Sequence, residues 1–149
     1  MRSALERETR PRDAPRSEVN PLASLETTFL LDLVNDLPAA VHMAKALEAT
    51  GEPRCVTPPV AAEVLIGAFL QGGRSLETAR DLLDSLLLLE FDREAYLEAG
   101  RLGALLIERG EEMSTVGLLI AAVSKRHGQR VITRDRSFAR IPGLSIETY

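Results

Sequence analysis

The sequence predicts an α/β domain in three layers, with a central parallel sheet of four to five strands and helices on both faces. Short apolar or β-branched runs alternate with longer helical patterns through the length of one domain, the pattern of a parallel sheet wrapped by its crossover helices. Val131-Ile132-Thr133 is β-branched throughout, as suits a strand buried on both faces. Asp135 follows it between Arg134 and Arg136, where side chains open onto the crevice that α/β sheets use for ligands.

The elements are expected in the following order. Residues 1–20 carry five Arg, four acids and two Pro with almost nothing to bury, which predicts a disordered extension ahead of a domain over 21–149. The extension lacks the apolar core of a secretory signal. Leu22 to Leu25 is a short first strand ended by Glu26, and Thr27 or Thr28 caps a helix from Phe29 to Asp36. Pro38 starts a second helix, with Ala40, Val41, Ala44 and Leu47 at apolar spacing and Gly51 beyond its end. Cys55 to Thr57 is a second strand. Pro58-Pro59 opens a helix that is apolar nearly all round except at Glu63, and Gly72-Gly73 ends it. Leu76 to Leu83 is a further helix, and Leu86 to Phe91 a third strand, although its leucines leave a helix open. Asp92 caps a long helix from Arg93 to Arg109 closed by Gly110, and Met113 to His127 is a helix stopped by Gly128. After the fourth strand, Pro142-Gly143 turns the chain into a last strand, Leu144 to Glu147.

Composition excludes several classes. At 149 residues and 45% hydrophobic content the chain can bury one core without staples. No apolar run approaches the ~18–20 residues of a membrane span. A single cysteine, Cys55, excludes an internal disulfide and suits a reducing cytoplasm. With only His42 and His127 beside it, a structural zinc site is not expected. The absence of Trp and the 4% aromatic content argue against a stacking platform for single-stranded nucleic acid. Net charge is −4, but Lys125, Arg126, Arg130, Arg134, Arg136 and Arg140 face only Asp135 in their stretch, a local +5 that leaves −9 elsewhere. Such a stretch either meets a phosphate-bearing partner or is a solvated helix end whose cations offset the dipole.

Three acids stand against apolar backgrounds: Glu26 at the first strand end, Glu63 on the apolar helix, and Asp135 after the fourth strand. A carboxylate on a buried helix is costly unless paired, hydrogen-bonded or metal-bound. Hard oxygen ligands of this kind suit Mg²⁺ or Mn²⁺, which can activate water and offset charge on a phosphodiester. Singly, each acid has a plainer reading. Glu63 could reach solvent or an arginine, Glu26 could favour a helix dipole, and Asp135 could cap a Ser137-Phe138 turn. Taken together, two strand ends and one buried helix favour a shared cluster.

On SLETTFLLDLVND, TPPVAAEVLIGA, GLLIAAVSKRHGQRVITRD and the closing FARIPGLSIETY, residues 22–149 resemble the PIN-domain family, most closely its VapC-type toxin ribonucleases. Each motif is weak alone, but four in order at the right spacing are specific. The resemblance implies a parallel sheet between helices and three or four acids that bind Mg²⁺ or Mn²⁺ for RNA cleavage. It gives Glu26 the place of the family's first Asp, Glu63 that of the helical Glu, and Asp135 that of the acid after Thr-Arg. It also implies RNA held by Lys125, Arg134 or Arg136, an antitoxin protein as partner, and a homodimer using apolar faces near Val64 to Leu70 and Leu102 to Ile107. A cytoplasmic setting without membrane contact goes with it.

The sequence departs from the family at two positions. Gly117 stands where the family has an Asp directly before Leu-Ile-Ala-Ala, and the first acid is one methylene longer than usual. Losing a carboxylate ~4 Å from a cation removes a gross Coulomb term of roughly 4 kcal/mol per unit charge at an effective dielectric near 20. Ser114 and Thr115 are poor replacements. Glu111 and Glu112 read as helix-dipole partners, and Asp32, nearly two turns beyond Glu26, as solvent-facing. Two functions therefore follow: a metal-dependent endoribonuclease with a partly degraded site, or a catalytically inactive PIN domain that binds RNA or protein. A phosphate-binding or receiver-like domain is the third reading, but the only paired glycines, Gly72-Gly73, end a helix instead of forming a phosphate loop.

Overall fold

The computed structural model describes residues 23–149. The extension over 1–20, and Leu22 at the head of the first strand, lie outside the described residues. Five parallel strands, β1 (Ala23–Leu25), β2 (Arg54–Val56), β3 (Leu87–Leu88), β4 (Arg130–Ile132) and β5 (Ser145–Glu147), form one sheet in the order β3-β2-β1-β4-β5. Six helices connect them: α1 (Thr27–Val34), α2 (Pro38–Thr50), α3 (Pro58–Gln71), α4 (Gly73–Asp84), α5 (Arg93–Glu108) and α6 (Thr115–Arg126).

Strand order fixes the layers. From β1 the chain steps to β2 and β3 on one side, then returns past β1 to β4 and β5 on the other. Right-handed crossovers in opposite directions put their helices on opposite faces. Val56 accordingly lines an apolar groove with Ala61, Leu65 and Leu83, on the α3–α4 face. Ser24 and Cys55 look the other way: Ser124 Oγ of α6 lies 3.0 Å from Ser24 Oγ, and Cys55 packs with Ala95 and Val123. The main core joins Leu25, Phe29, Leu30, Val60, Val64, Leu102, Leu106, Ile132 and Phe138. Among the described residues no helix is long and apolar enough to cross a membrane.

Helix ends follow local chemistry. Pro38 and Pro58-Pro59 occupy first-turn positions, where a missing N–H is harmless. Gly51 and Gly128 close α2 and follow α6 with φ of 67° and 66°, a region that only glycine enters freely. Ser114 Oγ caps α6 by accepting from the Gly117 N–H, and Asp92 caps α5. Three expectations are revised. Helix α1 begins two residues early because Glu26, and not Thr27 or Thr28, is its cap, its side chain accepting from the Thr28 N–H. A tight turn with Asp36 at φ 55° replaces the last helical turn expected there. The six-residue third strand shrinks to Leu87–Leu88, an edge pair that is 57% and 66% exposed while Leu86 and Leu89 are buried. A run of leucines satisfies the apolar pattern of a strand, but only two of them find a ladder partner on β2.

Candidate active site

The order in which strands are added reverses between β1 and β4, and the crevice outside the carboxyl ends of those strands is where open α/β sheets bind ligands. Glu26 follows β1 there, and Thr133 and Asp135 follow β4. Ser24 lies opposite Val131, so two residues further on Glu26 and Thr133 are level and share the α6 face. The Glu26 N–H donates to the Ile132 carbonyl and the Thr133 N–H to the Glu147 carbonyl, which extends the ladder to the rim of the crevice.

Glu26 is only 4% exposed. Its Oε2 accepts three hydrogen bonds: from the Thr28 N–H at 2.9 Å, Thr28 Oγ1 at 2.6 Å and Thr133 Oγ1 at 2.7 Å. That is how a buried carboxylate is tolerated without a cationic partner among the described residues. Thr133 Oγ1 also accepts from the Asp135 N–H at 3.0 Å, and Thr28 Oγ1 from the Arg134 N–H at 3.0 Å. On the other flank, Thr27 Oγ1 donates to Glu63 Oε1 of α3 at 2.7 Å. Threonines thus support each acid separately: Thr28 and Thr133 hold the Glu26 carboxylate, Thr133 also takes the Asp135 N–H, and Thr27, next to Thr28 in the chain, holds Glu63.

The three carboxylates do not close into a cage. Among the described residues no group of three or more His, Cys, Asp or Glu side chains is gathered closely enough to hold a metal ion. Glu26 is turned to the threonines, Glu63 to Thr27, and exposed Asp135 caps the 3-10 turn Arg136–Arg140 by accepting from the Ser137 N–H at 2.9 Å. The donor set nevertheless fits a hard divalent cation in kind, being all oxygen, and Mg²⁺ is commonly held by one or two carboxylates while keeping several waters.

At Gly117, in the first turn of α6, the place of a fourth acid is covered by a neighbouring flexible side chain. A Cβ there would meet Met113 Cε at 2.8 Å and Ser114 Oγ at 3.1 Å, so the Met113 side chain lies over the position. The carbonyl of Glu112 accepts from Arg140. Asp32, expected to face solvent, is instead 13% exposed at its side chain and held at both oxygens, by Arg134 at 2.9 Å and by the Tyr149 hydroxyl at 2.5 Å. Burial, and then the Asp32 carboxylate, push the Tyr149 phenol up to about 12, so it remains a donor at neutral pH.

The cations separate into two groups. Lys125 packs by the turn before β5, at the opposite end of the sheet from Glu26, and pairs with Glu98 at 2.9 Å. Arg126 pairs with Asp92, and Arg130 with Glu52 and Glu147. Arg134 and Arg136 stand exposed at the crevice itself. The basic stretch is therefore largely neutralised by acids from elsewhere in the chain. Sequence reasoning missed Asp32, Tyr149 and the joint role of Thr28 and Thr133. The signal for Thr133 was its two-residue offset from Val131, matching that of Glu26 from Ser24.

The PIN domain family profile matches residues 23–144. The chain is 25% identical over 128 residues to the tRNA(fMet)-specific endonuclease VapC of Salmonella typhimurium, covering 84% of this chain and 96% of that protein. VapBC2 from Rickettsia felis, solved bound to a DNA fragment from its promoter, superposes with a TM-score of 0.76 at 21% identity, covering 86% and 98%. VapBC-5 from Mycobacterium tuberculosis, of the VapBC family of toxin-antitoxin systems, superposes with a TM-score of 0.61 at 26% identity over 86% and 98%. The chain belongs to the PIN-domain family, and its relatives there are of the VapC type.

Proposed function

We propose that this protein is a VapC-like endoribonuclease of a toxin–antitoxin pair, with RNA as substrate and Mg²⁺ or Mn²⁺ as cofactor. The observation that supports the reading is the set of threonine hydrogen bonds at the carboxyl ends of β1 and β4, in which adjacent Thr27 and Thr28 reach Glu63 and Glu26 and Thr133 links Glu26 to the Asp135 N–H. Glu26, Glu63 and Asp135 would hold the cation, which supplies Lewis acidity toward a phosphodiester when bound. Thr28 and Thr133 fix the Glu26 carboxylate. Arg134 and Arg136 present cations at the rim, where they orient the RNA backbone and draw it in. Lys125, at the far end and paired with Glu98, takes no part in this crevice. An antitoxin polypeptide and a second copy of the chain are the protein partners, the exposed Ile66, Phe69 and Leu70 of α3 offering the apolar face for the copy. A cytoplasmic setting goes with that pairing.

A second reading, a PIN domain that binds RNA or protein without cutting, is favoured by Gly117 under Met113 and by the three donors already on Glu26. Incubation with RNA in Mn²⁺ separates the two. The nuclease reading expects cleavage that chelator abolishes and that Glu63→Gln lowers by about 10- to 100-fold. RNA that stays intact at every metal concentration while remaining bound supports the second reading and sinks the first.

A further inference from the structure

Strand β3 ends the sheet on one side, and no strand lies beyond it among the described residues. Leu87 is level with Cys55, and the Leu89 N–H donates to the Val56 carbonyl at 2.8 Å. Backbone groups of successive strand residues point to alternate sides, so the N–H and C=O of Leu88, between those two, face away from β2. The Leu88 side chain is exposed, and β3 carries neither the charge nor the proline that commonly blunts an open edge.

Leu88 also lines the apolar groove of Val56, Ala61, Leu65 and Leu83, a hollow of about 430 Å³. One end of that groove is polar. Arg80 and Asp84 stand there, and with Glu77 and Asp81 they line the adjoining hollow on α4, where three exposed carboxylates face one guanidinium. An open backbone edge, an apolar groove along it and an acidic end together suit an extended polypeptide that is apolar with a basic end. A second copy paired edge to edge would bring two acidic rims together, so charge disfavours that occupant.

We propose that β3 and its groove dock an extended segment of another polypeptide, with apolar residues at alternate positions and Arg or Lys at its end. The segment adds a strand outside β3 through the Leu88 N–H and C=O. Its alternate apolar side chains enter the groove, and its cations meet Glu77, Asp81 and Asp84. β3 lies two strands from β1, so this surface is separate from the crevice and independent of the nuclease reading.

The test is backbone-amide NMR of the full chain titrated to about 1 mM with an amidated peptide, Val and Thr alternating at its centre and paired Arg at each end. The control peptide carries Glu in place of Arg. With the Arg peptide, signals of Leu65, Leu83 and Leu88 shift, and the Leu88 N–H, freely exchanging in the protein alone, becomes protected. Leu88→Lys, a change at an exposed side chain, weakens binding about tenfold. Asp81→Asn with Asp84→Asn weakens it about threefold and flattens its salt dependence. No shift at Leu88, or an equal response to the Glu peptide, overturns the proposal. So does a Leu88 N–H already protected in the protein alone: protection that grows with protein concentration assigns the edge to a second copy, and protection independent of concentration assigns it to the chain itself.

Discussion

A single oxygen of Glu26 organises the rim of the sheet, and the side chains that serve it are the sharpest points of attack. Thr133 Oγ1 both donates to Glu26 and accepts from the Asp135 N–H. Thr133→Val leaves a buried carboxylate and a backbone N–H each short of a partner, an expected loss of about 1–3 kcal/mol in urea unfolding. Thr133→Ser keeps most of it; equal stability of all three proteins would mean these bonds are not made in solution. Gly117 offers the converse experiment. Adding Asp at 117 with Glu26→Asp restores the family's acid pattern, and the only obstacles are the flexible end of Met113 and the cap oxygen of Ser114. RNA cleavage is expected to appear or rise strongly in this double variant, and unchanged activity would mean the acid positions are misassigned. Glu26, Glu63 and Asp135 stood out in the sequence because each is an isolated acid on an apolar background. The threonines did not, because a hydroxyl's role depends on which strand lies beside it. Asp32 escaped for a similar reason, its partners lying 102 and 117 residues away.

At the level of elements, α5 and α6 form a pair held by Glu98, which accepts from Arg101 on its own helix and from Lys125 on the next. Those cations, Arg101 first, hold the Glu98 carboxyl down to about 2, against an ordinary value of 4.5. A depressed folded value means the contribution is present above about pH 4.5 and is lost as pH falls toward 2. Glu98→Gln is therefore expected to be less stable at pH 7 by under about 1 kcal/mol, with the difference closing across that acid window. A gap that stays constant down to pH 2 would assign the effect to packing. Helix boundaries marked by Pro, Gly or a capping side chain were readable from the sequence within about two residues. The start of α1 was read late because a glutamate serves as its cap, a residue type outside the usual Ser, Thr, Asp and Asn. Strand β3 was overextended because leucine carries no mark of which neighbours will pair with it.

For the whole molecule, strand order matters more than composition. The order β3-β2-β1-β4-β5 sets residues 26 and 135 at the neighbouring carboxyl ends of β1 and β4, and it pairs Lys125 and Arg126 with acids at the other end of the sheet and Arg130 with Glu52 and with Glu147 of β5. A patch of +5 in the sequence becomes a rim of two or three arginines in the fold. RNA affinity of the Glu63→Gln protein, measured in chelator, should then fall with log salt at a slope of about −1 to −2, whereas six engaged cations would give about −4. Anisotropy titrations across salt concentrations measure that slope, and a value near −4 would restore the wider patch. The layered α/β class followed from alternation alone, while pairing across the sheet depended on contacts that no local window contains. The most direct measurement of the account is NMR with substoichiometric Mn²⁺, whose unpaired electrons broaden signals near the ion. Resonances of Glu26, Thr28, Glu63, Thr133 and Asp135 should broaden first and together in wild type, and should be spared in Glu63→Gln. Broadening spread over surface acids, or centred away from these residues, would contradict the claim that they serve one site.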